Sequence, residues 1–305
     1  MMAQWTYRQA WVCLVGSTLA TLSLSLSGYL LCSKWKQHRL SDERSRVVAI
    51  VQTGPEREAL KTAVLASILG LSADCPVSLY AIDETRAEKI LLACPLISEA
   101  KVKRAPPGTL YIDYTVRKPI AYLADYQNTG LDREGYVFPI APFYSPKNLP
   151  EIYLGLPPFG APADGQGRSG GEWQKSLQNK HLQLAFEILH VLDDAPWREG
   201  MRLKRIDVSN AFASSAGLRE IVLFTEDELT FRENDREIVC QFPKILRLPL
   251  KEYTQQLGNF LSLRRTMLDD YQRQAMQAHY TSSLVQFAPR IIDLRIPQIA
   301  YVQNN

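Results

Sequence analysis

Between Thr109 and Val116 apolar and polar positions alternate without a break. Leu110, Ile112, Tyr114 and Val116 fall on one face, Tyr111, Asp113 and Thr115 on the other. A period of two marks a strand with one face on a core and one in water. Just before it, Ala100 and Val102 alternate with Lys101, Lys103 and Arg104 over Ser98 to Arg104. Pro107-Gly108 between the two runs predicts a hairpin through a type II turn, with the glycine at positive φ. Upstream, Val47 to Thr53 is a β-branched apolar run, so a strand. Pro55 is placed to open a helix with Glu56 and Glu58 in its first turn. Leu60, Val64, Ile68 and Leu71 then repeat at helical spacing, and Gly70 marks the stop. Asp83 can cap a second helix carrying Ile82, Ala87, Ile90 and Leu91, ended by Pro95. The predicted order is β-α-α-β-β, two helices on one face of a three-stranded sheet.

Beyond Val116 the pattern changes to short strands at Pro119–Ala124, Tyr136–Phe138 and Ile152–Leu154, with a turn through Asp132 and Gly135. Residues 157–172 are rich in Pro and Gly and predict a flexible loop that offers no core. Lys180 to Leu192 reads as a helix with Leu182, Phe186 and Leu189 on one face. Leu203–Val208, Glu220–Phe224, Leu229–Arg232 and Glu237–Phe242 predict meander strands. Leu250, Tyr253, Leu257, Phe260, Met267, Leu268 and Tyr271 make an amphipathic helix that packs on the chain's own sheet, its seam interrupted by Gly258 and Arg264-Arg265. Two short strands, Ile291–Leu294 and Ile299–Tyr301, close the chain. The fold class is therefore α+β, a small β-α-α-β-β domain followed by a mixed-sheet β domain with packed helices.

One segment belongs to neither domain. Trp11 to Cys32 is 22 residues without a charge, long enough at about 1.5 Å per residue to cross a hydrocarbon core of about 30 Å. Trp11, Tyr29 and Trp35 stand where interfacial aromatics belong. Its many Ser and Thr hydroxyls can bond back to their own helix. No small-x-small cleavage site closes the run, so it reads as an uncleaved anchor, not a signal peptide. Residues 1–10 form a short tail, and the polar stretch 33–46 a stalk. Arg8 precedes the span and Lys34, Lys36 and Arg39 follow it, a charge count that favours a cytoplasmic C-terminus.

Composition adds exclusions. A net charge of +3 with cations scattered among nearly as many acids gives no footprint for nucleic acid. The four histidines, His38, His181, His190 and His279, lack zinc-helix spacing, and His181 and His190 read as helix-surface residues. Asp193-Asp194 and Asp269-Asp270 read as solvated surface. No nucleophile elbow, phosphate loop or dinucleotide fingerprint is present, so no catalytic, cofactor-binding or metal-binding residue is expected and the chain reads as a non-enzyme. Cys75 and Cys94 flank one predicted helix, which permits a disulfide in an oxidising compartment, and buried free thiols are the simpler reading. Lys101, Lys103 and Arg104 read as edge protection.

Several of these segments carry a resemblance. Pro95, Ile97, Ala100, Val102, Arg104, Pro107, Thr109, Leu110 and Ile112 fall at the spacing of the motif that closes the small domain, called POTRA, of the bacterial cell-division proteins FtsQ and DivIB. Arg117-Lys118-Pro119-Ile120-Ala121, then Leu131 to Phe138, are similar to that family's next two motifs. Ser78 to Asp83 resembles the start of its second POTRA helix, and Ile291-Ile292-Asp293-Leu294-Arg295 its late "D-L-R" strand. Val116 stands where the family pattern has a glutamate, and residues 157–200 and 264–289 match weakly.

The resemblance implies a POTRA domain over residues 47–117 and an FtsQ/DivIB-like β domain over 118–305. It implies a single-pass inner-membrane protein at the division septum, held in the lipid bilayer by residues 11–32. The N-terminus would be cytoplasmic and both domains extracytoplasmic, opposite to the charge count. It implies a divisome scaffold that recruits small coiled-coil membrane proteins such as FtsB and FtsL, with other divisome components as further partners. The partner-binding edge carried over from the family is Arg295, Ile296, Pro297, Gln298, Ile299, Ala300, Tyr301 and Val302, with Arg295 expected to meet an acidic partner residue and Tyr301 to act as aromatic anchor. The competing expectation is a POTRA-type docking or chaperone module of envelope protein transport, although no barrel-length run of amphipathic strands follows.

Overall fold

The computed structural model describes residues 7–54, 58–193, 200–233, 236–277 and 283–304. The chain divides into two compact units, Met1–Val116 and Arg117–Asn305. The first begins with a 35-residue helix, α1 (Tyr7–Ser41). From Leu14 it is long and apolar enough to cross a membrane. Its hydroxyls are turned inward: Ser17 donates to the Leu14 carbonyl at 2.9 Å and Ser25 to that of Thr21 at 2.7 Å. Such back-bonding satisfies groups that hydrocarbon could not. Residues 33–41, expected as a stalk, continue the helix. Trp35 and Arg39 lie one turn apart, and the Arg39 guanidinium sits 3.7 Å from the Trp35 ring centre and 5.1 Å from that of Tyr80, a cation–π stack that ties the helix end to the turn at Leu79–Ala81.

The elements that follow are β1 (Ala49–Thr53), α2 (Thr62–Ile68), α3 (Glu84–Leu92), β2 (Ile97–Ala105) and β3 (Thr109–Val116). They form a three-stranded sheet in the order β1-β3-β2, with β1 parallel and β2 antiparallel to β3. The alternation along β3 is realised residue by residue: Leu110, Ile112, Tyr114 and Val116 are buried, as are Leu65, Leu79, Ala87 and Leu91 of the helical side. Asp83 caps α3 by accepting from the Arg86 amide at 3.2 Å.

Two local expectations fail in this unit. The first helix begins at Thr62, after Lys61. Pro55 and Glu56 lie outside the described residues, and Glu58 has φ of 63°, which no helical turn accommodates. The Leu60 amide instead donates to the Tyr114 hydroxyl at 2.8 Å, so the approach to the helix is fixed by the sheet. The hairpin turn is not type II, because Gly108 is absent from the positive-φ positions and the Pro106–Pro107 peptide is cis. Glycine is needed there for space: a Cβ would stand 2.4 Å from the Arg46 carbonyl.

The second unit contains β4 (Ala121–Leu123), β5 (Thr129–Leu131), β6 (Val137–Pro139), β7 (Glu151–Tyr153), α4 (Lys180–Asp193), β8 (Met201–Asp207), β9 (Ile221–Glu233), β10 (Arg236–Leu248), α5 (Tyr253–Gln277), β11 (Leu284–Gln286), β12 (Arg290–Asp293) and β13 (Tyr301–Asn304). The strands form one ten-stranded mixed sheet in the order β13-β12-β10-β9-β8-β7-β4-β5-β6, with β11 also on β10. Arg117, expected to end the first domain, is bound into this second unit. Its guanidinium meets Asp132 at 2.8 Å and lies 3.7 Å over Tyr136, and its carbonyl accepts from the Tyr144 hydroxyl at 2.7 Å.

The two strands expected over 220–232 are a single strand, β9, paired with β10 from Ile221 opposite Leu248 to Glu233 opposite Arg236. The acidic run Glu226-Asp227-Glu228 falls between the two expected strands. In the structure Asp227 is buried and neutralised by Lys244 on β10 and by Arg264 of α5 at 3.1 Å. Arg264 thus completes the seam of α5 that it was expected to interrupt, beside the buried Leu257, Phe260, Met267 and Tyr271. Phe242 stacks between Tyr271, at 4.2 Å, and Phe287, at 4.4 Å.

Residues 157–171 are not a bare loop. The Tyr126 hydroxyl donates to the Pro157 carbonyl at 2.7 Å and accepts from the Gly171 amide at 2.8 Å, while Phe159 packs between Tyr126 and Trp173. On α4 the buried stripe is His181, Leu184, Ala185, Ile188 and Leu192 with Leu182, and Phe186 and Leu189 lie on its flank, half-buried.

Candidate partner-binding site

The sheet of the second unit ends at β13, whose neighbour β12 pairs with it antiparallel, Asp293 opposite Tyr301 and Ile291 opposite Gln303. The Leu294 amide donates to the Arg247 carbonyl at 2.8 Å. In a strand pair alternate residues bond to opposite sides, so even-numbered residues of β12 face β10 and Ile291 and Asp293 face β13. On β13 this engages Tyr301 and Gln303. The backbone N–H and C=O groups of Val302 therefore point out of the sheet, a pair of groups that a further strand could bond.

Of the expected site residues, Tyr301 and Val302 alone lie in β13. The strand expected over Ile299–Tyr301 is displaced towards the C-terminus, because Pro297 and Gln298, the latter with φ of 64°, make a tight turn. That turn lifts the apolar side chains outward: Ile296 is 62% exposed, Ile299 57% and Tyr301 64%. Ala300 is also exposed. An open groove of about 750 Å³ runs beside them, lined by Arg219, Pro249, Leu250 and Lys251 together with Asp293 and Arg295.

Arg295 does not stand free for a partner. Its Nη2 lies 2.7 Å from Asp293 Oδ2, and its Nη1 3.3 Å from Glu220. Arg247 joins the cluster, 2.6 Å from Glu220 and 3.4 Å from Asp293. Burial disfavours the Asp293 carboxylate, yet the hydrogen bonds and charge of Arg295, with Arg247, outweigh it and hold its pKa below the ordinary value. The hydrogen bond to Asp293 likewise raises that of Arg295. The cluster clamps the root of the 296–300 turn and leaves the apolar side chains as its outward chemistry.

Elsewhere, His190 is exposed as expected and His279 lies outside the described residues. His181 differs: it is fully buried, edge-on to Phe212 at 4.9 Å. Asp194 is outside the described residues, and Asp270 pairs at the surface with Arg273 at 2.6 Å. Cys75 and Cys94 are free thiols, and burial raises the pKa of Cys94. Among the described residues no three His, Cys, Asp or Glu side chains are grouped to hold a metal ion. The buried Asp227–Lys244–Arg264 cluster was not foreseen. Its sequence signal was Lys244 at a position that alternates with the apolar Phe242, Leu246 and Leu248.

No protein-family model matches this chain, and no curated protein matches it.

Proposed function

We propose that this protein is a non-catalytic, membrane-anchored cell-division scaffold of the FtsQ/DivIB type, which captures small coiled-coil membrane proteins similar to FtsB and FtsL by adding a partner strand to β13. The observation that carries the reading is the outer edge of β13, unpaired among the described residues, beside the exposed Ile296, Ile299 and Tyr301. Main-chain bonds to such an edge supply register, and apolar side chains beside it supply affinity. The first unit would be the POTRA domain, and α1 the single inner-membrane span, with both units outside the cytoplasm at the septum.

Co-purification of the full chain with its FtsB-like partner tests this. Tyr301→Lys removes the aromatic contact, and Val302→Pro deletes an outward N–H while sparing the bonds to β12. Both variants lose capture while keeping the wild-type circular dichroism spectrum. Capture at wild-type yield by both would refute the site.

A further inference from the structure

The two edges of the first unit's sheet are treated differently. On β2 two of the outward amides are already taken: Val102 donates to Glu88 at 3.0 Å and Arg104 to Glu84 at 2.9 Å, both acceptors on α3. Lys101, Lys103 and Arg104 add charge, the usual protection of an edge. The other edge, β1, carries no charge from Val47 to Gly54.

Which groups β1 leaves open follows from the same bonds. Because Val102 and Arg104 point away from β3, the odd-numbered residues of β2 bond to their partners Tyr111 and Asp113. Leu110 and Ile112 of β3 then face β1, and in the parallel register of Ala49 with Thr109 they engage Ala49, Val51 and Thr53. Ile50 and Gln52 are left with N–H and C=O groups pointing outward. Among the described residues the rest of the chain meets this side earlier, where Val47 donates to the Val77 carbonyl and Arg46 forms an isolated bridge to Ser78. Among the described residues no backbone hydrogen bond reaches Ile50 or Gln52 from outside the sheet.

We infer that β1 is a self-association edge, and that its partner is β1 of a second copy of this chain. Antiparallel pairing centred on Val51 sets Ile50 opposite Gln52 of the second copy, and their outward groups make four reciprocal main-chain hydrogen bonds. Val51 then faces its own counterpart in a non-hydrogen-bonded pair, the closer kind, with Cα atoms about 4.5 Å apart. On the open face of the sheet Val51 is exposed and neighbours the exposed Tyr111. The joined sheets bury a continuous Tyr111–Val51–Val51–Tyr111 stripe, and no like charges meet across it. A strand pair this short lies well below the roughly 1,600 Å² of a standard interface. It is weak in dilute solution and is favoured when α1 holds two copies in one bilayer at high effective concentration. Both chains enter the same bilayer, so the two-fold axis between them coincides with the membrane normal. This surface is in the first unit and is independent of the reading of β13.

The test is disulfide trapping of the full chain in lipid vesicles. Val51→Cys is expected to give a disulfide-linked dimer under mild oxidation. Wild-type chain, which reports on the native cysteines, and Gln52→Cys, whose thiol lies on the helix-covered face, are expected to stay at the background level. Val51→Lys, which sets like charges opposite one another at an exposed position, is expected to lower chemical cross-linking of the full chain about tenfold with an unchanged circular dichroism spectrum. Absence of a Val51→Cys dimer, equal trapping at Gln52→Cys, or undiminished cross-linking of Val51→Lys would overturn the inference.

Discussion

Arg295 grips Asp293 two residues upstream, with Nε at 3.0 Å and Nη2 at 2.7 Å from its carboxylate. The pair spans the start of the turn that carries the chain from β12 into β13, so it sets where the exposed Ile296, Ile299 and Tyr301 stand. An arginine committed in this way positions the 296–300 turn.

Arg295→Ala is therefore expected to loosen the terminal hairpin without unfolding the unit. The group is partly solvated, so the loss is about 1 kcal/mol in urea denaturation. Amide exchange at Tyr301 and Gln303 accelerates, and capture of the FtsB-like partner weakens less than in Tyr301→Lys. The sign of the pH effect follows from the lowered Asp293 pKa. A depressed carboxylate contributes stability above its unfolded value near pH 4, and that contribution is lost as pH falls through the lower folded value. The difference between wild type and Arg295→Ala thus narrows in acid.

Asp227 is the anion shared by Lys244 and Arg264 inside the second unit. Burial pushes the Lys244 pKa down against the pull of Asp227. Asp227→Ala strands two buried cations and is expected to destabilise by about 3–5 kcal/mol. The triple variant Asp227→Leu, Lys244→Met, Arg264→Leu removes all three charges and is expected to recover most of that loss. Urea midpoints at neutral pH distinguish the two.

His181 gives an acid-sensitive contribution. Burial lowers its pKa to about 4, with Arg168 and Lys180 acting the same way and Asp164 opposing them. The unfolded imidazole takes up a proton near pH 6.5 while the folded one does not, so stability declines as pH falls from about 6.5 to 4, by about 3 kcal/mol in total. His181→Leu is expected to flatten this slope and to raise the urea midpoint at pH 5 above that of wild type.

Much of the first unit was legible in the sequence, because each element declares itself locally. The alternation along 109–116 and the Asp83 cap both survive in place. The second unit was less legible where long-range chemistry overrides local pattern. Glu226-Asp227-Glu228 separates two apolar runs in sequence, yet it lies mid-strand between β8 and β10, with Asp227 neutralised by Lys244 and Arg264 from β10 and α5. The loop at 157–171 looks coreless until Tyr126 pins both its ends. His181 carries no periodic signal beyond its helix, and its burial follows from Phe212 packing against it. Within the candidate site, the Arg295–Asp293–Glu220 clamp was not legible, because Glu220 stands just before β9 and 73 residues upstream of Asp293.

The charges flanking α1, Arg8 before the span and Lys34, Lys36 and Arg39 after it, favour a cytoplasmic C-terminus, whereas the proposed scaffold requires its β13 edge on the opposite side. A topology reporter fused after Asn305, read in bacterial cells by its activity on each side of the inner membrane, tests that requirement most directly. The expected result is an active extracytoplasmic reporter and protease accessibility of both units from outside. A reporter active only in the cytoplasm would contradict the division-scaffold account.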